Sequence, residues 1–132
     1  MSGRLLQQRY SYSQKYQREL ALGIVFQYIY YEKFFSSLYL GGYFSEVLNR
    51  VILKYYDYNE DVWNIIYRAN FFVLNYMERA LLILLLAEID LKKVPSNLLV
   101  FIYIRLAKKY CRKNFHKLIP VFVAYAEKDS HF

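Results

Sequence analysis

Residues 77–128 read MERALLILLLAEIDLKKVPSNLLVFIYIRLAKKYCRKNFHKLIPVFVAYAEK, and this stretch decides the fold. From Ala80 to Ala87 every residue is apolar. The run is too continuous to alternate as a half-buried strand does, so it predicts a buried helix. After Ile89 it gives way to Asp90, Leu91, Lys92 and Lys93. Val94 is then pushed towards extended geometry by the proline that follows. Pro95 suits a first helical position, where its missing N–H would be unpaired anyway, and a second helix is expected from there. Leu98 to Ile104 is apolar throughout, which predicts a central helix packed on several sides. A third helix is expected with a stripe of Phe115, Leu118, Ile119 and Phe122, kinked at Pro120 because proline removes a backbone bond.

Working towards the N-terminus, Phe44, Val47, Leu48, Val51, Ile52 and Tyr55 follow helical spacing, and the acidic segment Asp57–Asp61 is expected to interrupt it. A further helix is expected over Val62–Tyr76, with Trp63, Ile66, Ala69, Asn70 and Val73 facing inward and Asn70 needing a buried partner. Gly41-Gly42 marks a break, since paired glycines are costly inside an element and permissive at a turn. Ahead of it lie a short helix over Glu32–Leu40 and a long one from about Gln14 to Tyr31, the latter with Ala21, Leu22, Val25, Phe26 and Ile29 on its inner side. Met1 to Ser13 is polar and basic without clean periodicity and reads as a flexible arm. The expected architecture is all-α: a compact bundle of about six to seven helices in two helical subdomains, one domain over 14–132 behind an arm of 1–13.

At 132 residues the chain is long enough to bury a core without metals or disulfides. Its 57% hydrophobic content raises a membrane reading, but the longest charge-free apolar run falls far short of the roughly 20 residues that a spanning helix needs. The polar N-terminus has no signal-peptide core, and a lone Cys111 fits a reducing compartment, so the cytoplasm is the expected location. Sixteen tyrosines and ten phenylalanines invite a stacking interpretation. Yet Tyr, Phe, Ile, Lys and Asn all have A/T-rich codons, so base composition accounts for them before a binding surface is invoked.

Charge is less easily set aside. The net charge is +7, and between Leu91 and Leu118 stand Lys92, Lys93, Arg105, Lys108, Lys109, Arg112, Lys113 and Lys117 with no acid among them. Arg105, Lys108, Lys109 and Arg112 recur at i, i+3, i+4 and i+7 and would share one helix face. A polyanion is the partner such a face fits. Catalytic chemistry has no comparable signal. With His116, His131 and Cys111 the only histidines and cysteine, a zinc site of Cys and His ligands is excluded. Asp57, Glu60 and Asp61 lack the alternating ligands of a calcium loop, and the four glycines form no phosphate-cradling loop. No enzyme activity, metal or cofactor is expected.

The order of elements resembles the NusB family of bacterial transcription antitermination factors. Glu78-Arg79-Ala80-Leu81 opens the apolar helix, Glu88-Ile89 closes it, and Val94-Pro95 follows. Leu106-Ala107-Lys108 ends the next helix, and His116-Lys117 leads into the last. Near the N-terminus, Arg18-Glu19-Leu20-Ala21 matches the family's Arg-Glu-x-Ala. The resemblance runs from about residue 14 to about residue 128. It implies an all-helical module that pairs with NusE, a small-subunit ribosomal protein, and holds boxA-like RNA in antitermination and ribosomal RNA synthesis. It further implies that Phe26 and Glu78 face the partner, and that Lys15 and Arg18, helped by Arg4 and Arg9, contact RNA.

The chain also departs from the family. Residues 14–18 read Gln-Lys-Tyr-Gln-Arg in place of an arginine-rich arm. Phe101 and Ile102 stand where the family has Asn-Glu, and Leu118 to Val121 where it has Phe-Val-Asn-Gly. The second expectation is therefore a protein interaction module that keeps the fold without its RNA role, with a homodimer among its arrangements. A third and weaker one is a membrane-surface protein.

Overall fold

The computed structural model describes residues 3–31, 42–71 and 73–129, with side chains from residue 14 onward. Among them lie six α-helices, one 3₁₀ turn and no strand: α1 (Gly3–Tyr31), α2 (Gly42–Leu53), α3 (Tyr55–Arg68), α4 (Tyr76–Leu91), α5 (Ser96–Tyr110), the 3₁₀ turn Phe115–Lys117, and α6 (Leu118–Lys128). The chain is an all-α bundle, as its apolar patterning predicts. α1 is helical from Gly3, so most of the stretch expected as a separate arm is continuous with it. The helix expected over Glu32–Leu40 lies outside the described residues.

The bundle is organised around α4. Every residue from Ala80 to Ile89 is buried, Glu88 included, and α1, α2, α3, α5 and α6 all pack on this helix. The apolar run makes it central because no face of it is fit for water. α5, expected to be central, is peripheral instead. Leu99, Tyr103, Leu106 and Ala107 are its buried stripe, while Leu98 and Phe101 are exposed. The one-sided spacing of those four residues is what a helix at the margin of a bundle shows.

The middle of the chain differs from expectation for a reason of phase. Asp57 and Asp61 lie within α3 rather than in an interrupting turn, because the break falls earlier, at Lys54. The inner stripe of α3 is Tyr58, Val62, Ile65 and Ile66, while Trp63 and Val73 are exposed, as is Ile52 on α2. Asn70 is no core residue. It takes a left-handed φ of 58°, its N–H bonds Tyr67 O, and the Phe71 N–H bonds Ile66 O at 2.9 Å. That is a Schellman ending, and asparagine tolerates its positive φ better than most side chains do.

Start signals at the C-terminal end are clear. The Asn75 side chain accepts from the Glu78 N–H while the Glu78 carboxylate accepts from the Asn75 N–H, a reciprocal capping box at the head of α4. Pro95 is the residue before α5 rather than its first. Pro120 sits in the first turn of α6, where backbone N–H groups have no intrahelical partner, so the expected kink has no cause.

A polar network joins α1, α2 and α5 to α4. Arg18 donates to Glu88 through Nε at 2.9 Å and Nη2 at 2.7 Å, and Tyr43 donates to the same carboxylate at 2.8 Å. The Tyr103 hydroxyl is its fourth donor. Glu88 is 0% exposed and Arg18 8%. Burial works against the Arg18 charge, but the bonds and charge of Glu88 outweigh it and raise the guanidinium pKa. Burial, then Glu88, pushes the Tyr43 and Tyr103 hydroxyls up, so both stay protonated donors.

Two residues further on, Asp90 accepts from Tyr58 at 2.5 Å, Lys54 at 3.1 Å and Arg50 at 3.3 Å, tying α2 and α3 to the same helix end. An acid in the last turn of a helix opposes the helix dipole, and these donors offset that.

Removing one partner of a buried pair leaves an uncompensated charge, so Glu88→Gln should lower unfolding free energy by about 3–5 kcal/mol. Adding Arg18→Met should recover a large part of the loss. Urea denaturation of the parent, both single variants and the double variant checks this, and single losses that simply add in the double variant would show that the pair is not coupled.

Candidate nucleic-acid interface

α1 and α5 both rest on α4, and a groove of about 380 Å³ runs between them. α1 contributes Gln14, Lys15, Arg18 and Glu19, and α5 contributes Phe101, Ile102, Arg105, Leu106 and Lys109. The spacings, i, i+1, i+4, i+5 on each helix and i+8 besides on α5, put each set on one face. Arg18 and Leu106 are buried; Lys15, Arg105 and Phe101 are exposed, Phe101 at 60%.

The expected cations separate into distinct roles. Lys15, Arg18, Arg105 and Lys109 come together in the groove from positions up to 94 residues apart (109 − 15). Arg18 is nevertheless turned to Glu88 and is a core residue rather than a surface cation. Lys109 donates to Glu19 at 2.9 Å across the groove and lies over the Tyr110 ring at 5.2 Å. That bond from Lys109, outweighing slight burial, holds the Glu19 carboxyl below its usual range, and the bond to Glu19 raises Lys109. Arg105 stacks over Phe101, with its Cζ 5.8 Å from the ring centroid. Lys108 is exposed outside the groove. Arg4 and Arg9 lie on α1 ahead of the described side chains.

Arg112 leaves the expected face because α5 ends at Tyr110 and Cys111 caps it in extended geometry. Its guanidinium instead clasps Glu78, with Nη2 to Oε1 at 2.6 Å and Nε to Oε2 at 3.0 Å, and donates to Val73 O at 2.9 Å. Its backbone N–H adds a bond to Glu78 Oε2 at 3.2 Å. Glu78, read as partner-facing, is 0% exposed and its oxygens are taken up by Arg112 and the Asn75 cap. Phe26 is half-buried and stacks on Tyr30 with centroids 6.1 Å apart. Tyr30 also meets Tyr31 and Tyr76 edge-on, and all three are more than half exposed, so an aromatic patch surrounds Phe26.

Sequence reasoning missed Phe101, Gln14 and Glu19. One signal was present: Phe101 precedes Arg105 by one helical turn, the spacing that lets a cation lie on a ring. Among the described residues no group of three or more His, Cys, Asp or Glu is placed to hold a metal, and no helix is long and apolar enough to cross a membrane. Cys111 is partly buried, and burial pushes its thiol up to about 12.

No family model, curated protein or solved structure matches the chain. The NusB resemblance rests on the motif residues alone.

Burial would raise the Glu78 carboxyl, but Arg112 and the backbone N–H groups of Asn75 and Arg112 bring it below 4.5. A carboxyl lowered by folding contributes stability that is complete above its unfolded value and is lost as pH falls through the folded one. Glu78→Gln should therefore lower stability at pH 7 and flatten its decline below about 4.5. Thermal melts of both proteins between neutral and acid pH test this, and parallel curves would show that the clasp does not couple to folding.

Proposed function

We propose that the chain is a NusB-like module that binds RNA and protein in transcription antitermination or ribosomal RNA synthesis, with the groove between α1 and α5 as its RNA face. The observation that carries this is the convergence of Lys15, Arg105 and Lys109 on one groove from helices far apart in sequence. A solvated helix face needs no such convergence, whereas a phosphate backbone crossing from one helix to the other does. The protein-binding half has its support in the aromatic patch about Phe26, which fits the NusE-type ribosomal partner that the family resemblance implies.

A second reading has its own support. Arg18 and Arg112 are held by Glu88 and Glu78, and Lys109 by Glu19, whose charge also acts on Lys15; among the described cations of these two faces, Arg105 and Lys108 stand outside any salt bridge. An interaction module that keeps the fold without binding RNA accords with that depletion.

Titration with a labelled boxA-like RNA over a range of salt separates the two. On the RNA reading, the Lys15→Gln, Arg105→Gln double variant should bind more weakly and reduce the slope of log K against log salt by about 1.4, since each phosphate contact to a single strand contributes about 0.7. Both side chains are exposed, so the melting temperature should stay near that of the parent. Unchanged affinity would remove the groove from RNA binding, and partner binding without RNA binding would establish the second reading.

A further inference from the structure

Several large apolar side chains of this bundle are exposed, and Phe101 is set apart from them by its place: the ring, 60% exposed, stands in a groove flanked by Lys15 and Arg105. Arg105 lies on the ring and presents a second planar surface beside it. Phosphates need cations and gain nothing from an exposed aromatic ring. An unpaired base needs the ring as well, because every base has a π-face to stack.

We propose that the groove stacks an unpaired base of that RNA on Phe101 and Arg105, with the adjoining phosphate on Lys15. This rests on the reading of the groove as an RNA face and assigns the residues that hold a base. The volume, about 380 Å³, lies in the range of sites for compact organic ligands. Glu19, bridged to Lys109, keeps a carboxylate in the groove one helical turn from Lys15. A duplex would turn its base faces away and offer phosphates alone, leaving Phe101 unused. Among the tyrosines, Tyr31 and Tyr76 pack on Tyr30, Tyr56 on α3 adjoins Asp57, and Tyr110 and Tyr125, which lie under Lys109 and Arg68, are outside the groove lining.

The test is titration of the full chain with labelled oligouridine and with duplex RNA of equal length, using wild type, Phe101→Ala, Phe101→Trp and Lys15→Gln. Single strands should bind more tightly than the duplex. Phe101→Ala should lose about tenfold or more on the single strand and nothing on the duplex, while Phe101→Trp should retain single-strand binding. Because the ring is exposed, thermal melts should show all variants folded. If Lys15→Gln weakens binding and Phe101→Ala does not, the groove binds phosphate without stacking and the inference falls alone. Tighter duplex binding also overturns it, and if neither RNA binds, the RNA reading falls with it.

Discussion

Three carboxylates on one helix set how the rest of this bundle is arranged around it. α4 is almost wholly apolar, and its only acids, Glu78, Glu88 and Asp90, stand at its two ends. Each is met by donors from other parts of the chain. Glu88 takes Arg18 of α1, Tyr43 of α2 and Tyr103 of α5; Asp90 takes Arg50, Lys54 and Tyr58; Glu78 takes Arg112 from beyond α5. Apolar contact around α4 supplies most of the stabilisation but is non-directional. The ion pairs add what contact lacks, a defined rotation and height for each surrounding helix, because a buried carboxylate left without its donors is expensive.

The groove follows from that arrangement. Since Arg18 reaches inward to Glu88 and Tyr103 reaches the same carboxylate from α5, both helices are fixed to α4. The space between their outer edges is spanned by the Lys109–Glu19 bridge and lined by residues on either side of the anchors along each helix. A change in the core that released Arg18 would therefore alter the groove without touching a residue on its rim.

How much was legible in the sequence depended on whether a residue's role was local. The burial of Ala80–Ala87 follows from an unbroken apolar run, the inner side of α1 and the stripe Phe115, Leu118, Ile119 and Phe122 follow from periodicity, and the structure has them buried or half-buried. The phase of α3 was misread because the apparent breaker, Asp57 to Asp61, is compatible with an exposed helix face, and the true break at Lys54 has no turn residue to mark it. For the cations the sequence shows number and spacing but not partners. Arg18 and Lys15 look alike in one dimension, and a carboxylate 70 residues away makes one a core residue and leaves the other on the surface. Arg112 left its expected face because a helix can end without glycine or proline, as α5 does at Tyr110.

Among the described residues three turning points adopt a left-handed backbone, at Asn70, Lys92 and Asn114, and none of them is glycine. Glycine would be the least strained choice at each. A residue such as Lys92 therefore carries backbone strain of about 1 kcal/mol that glycine would not. In a chain of this composition, helix boundaries are marked by asparagine and lysine, and an inspection that looks for glycine alone passes over them.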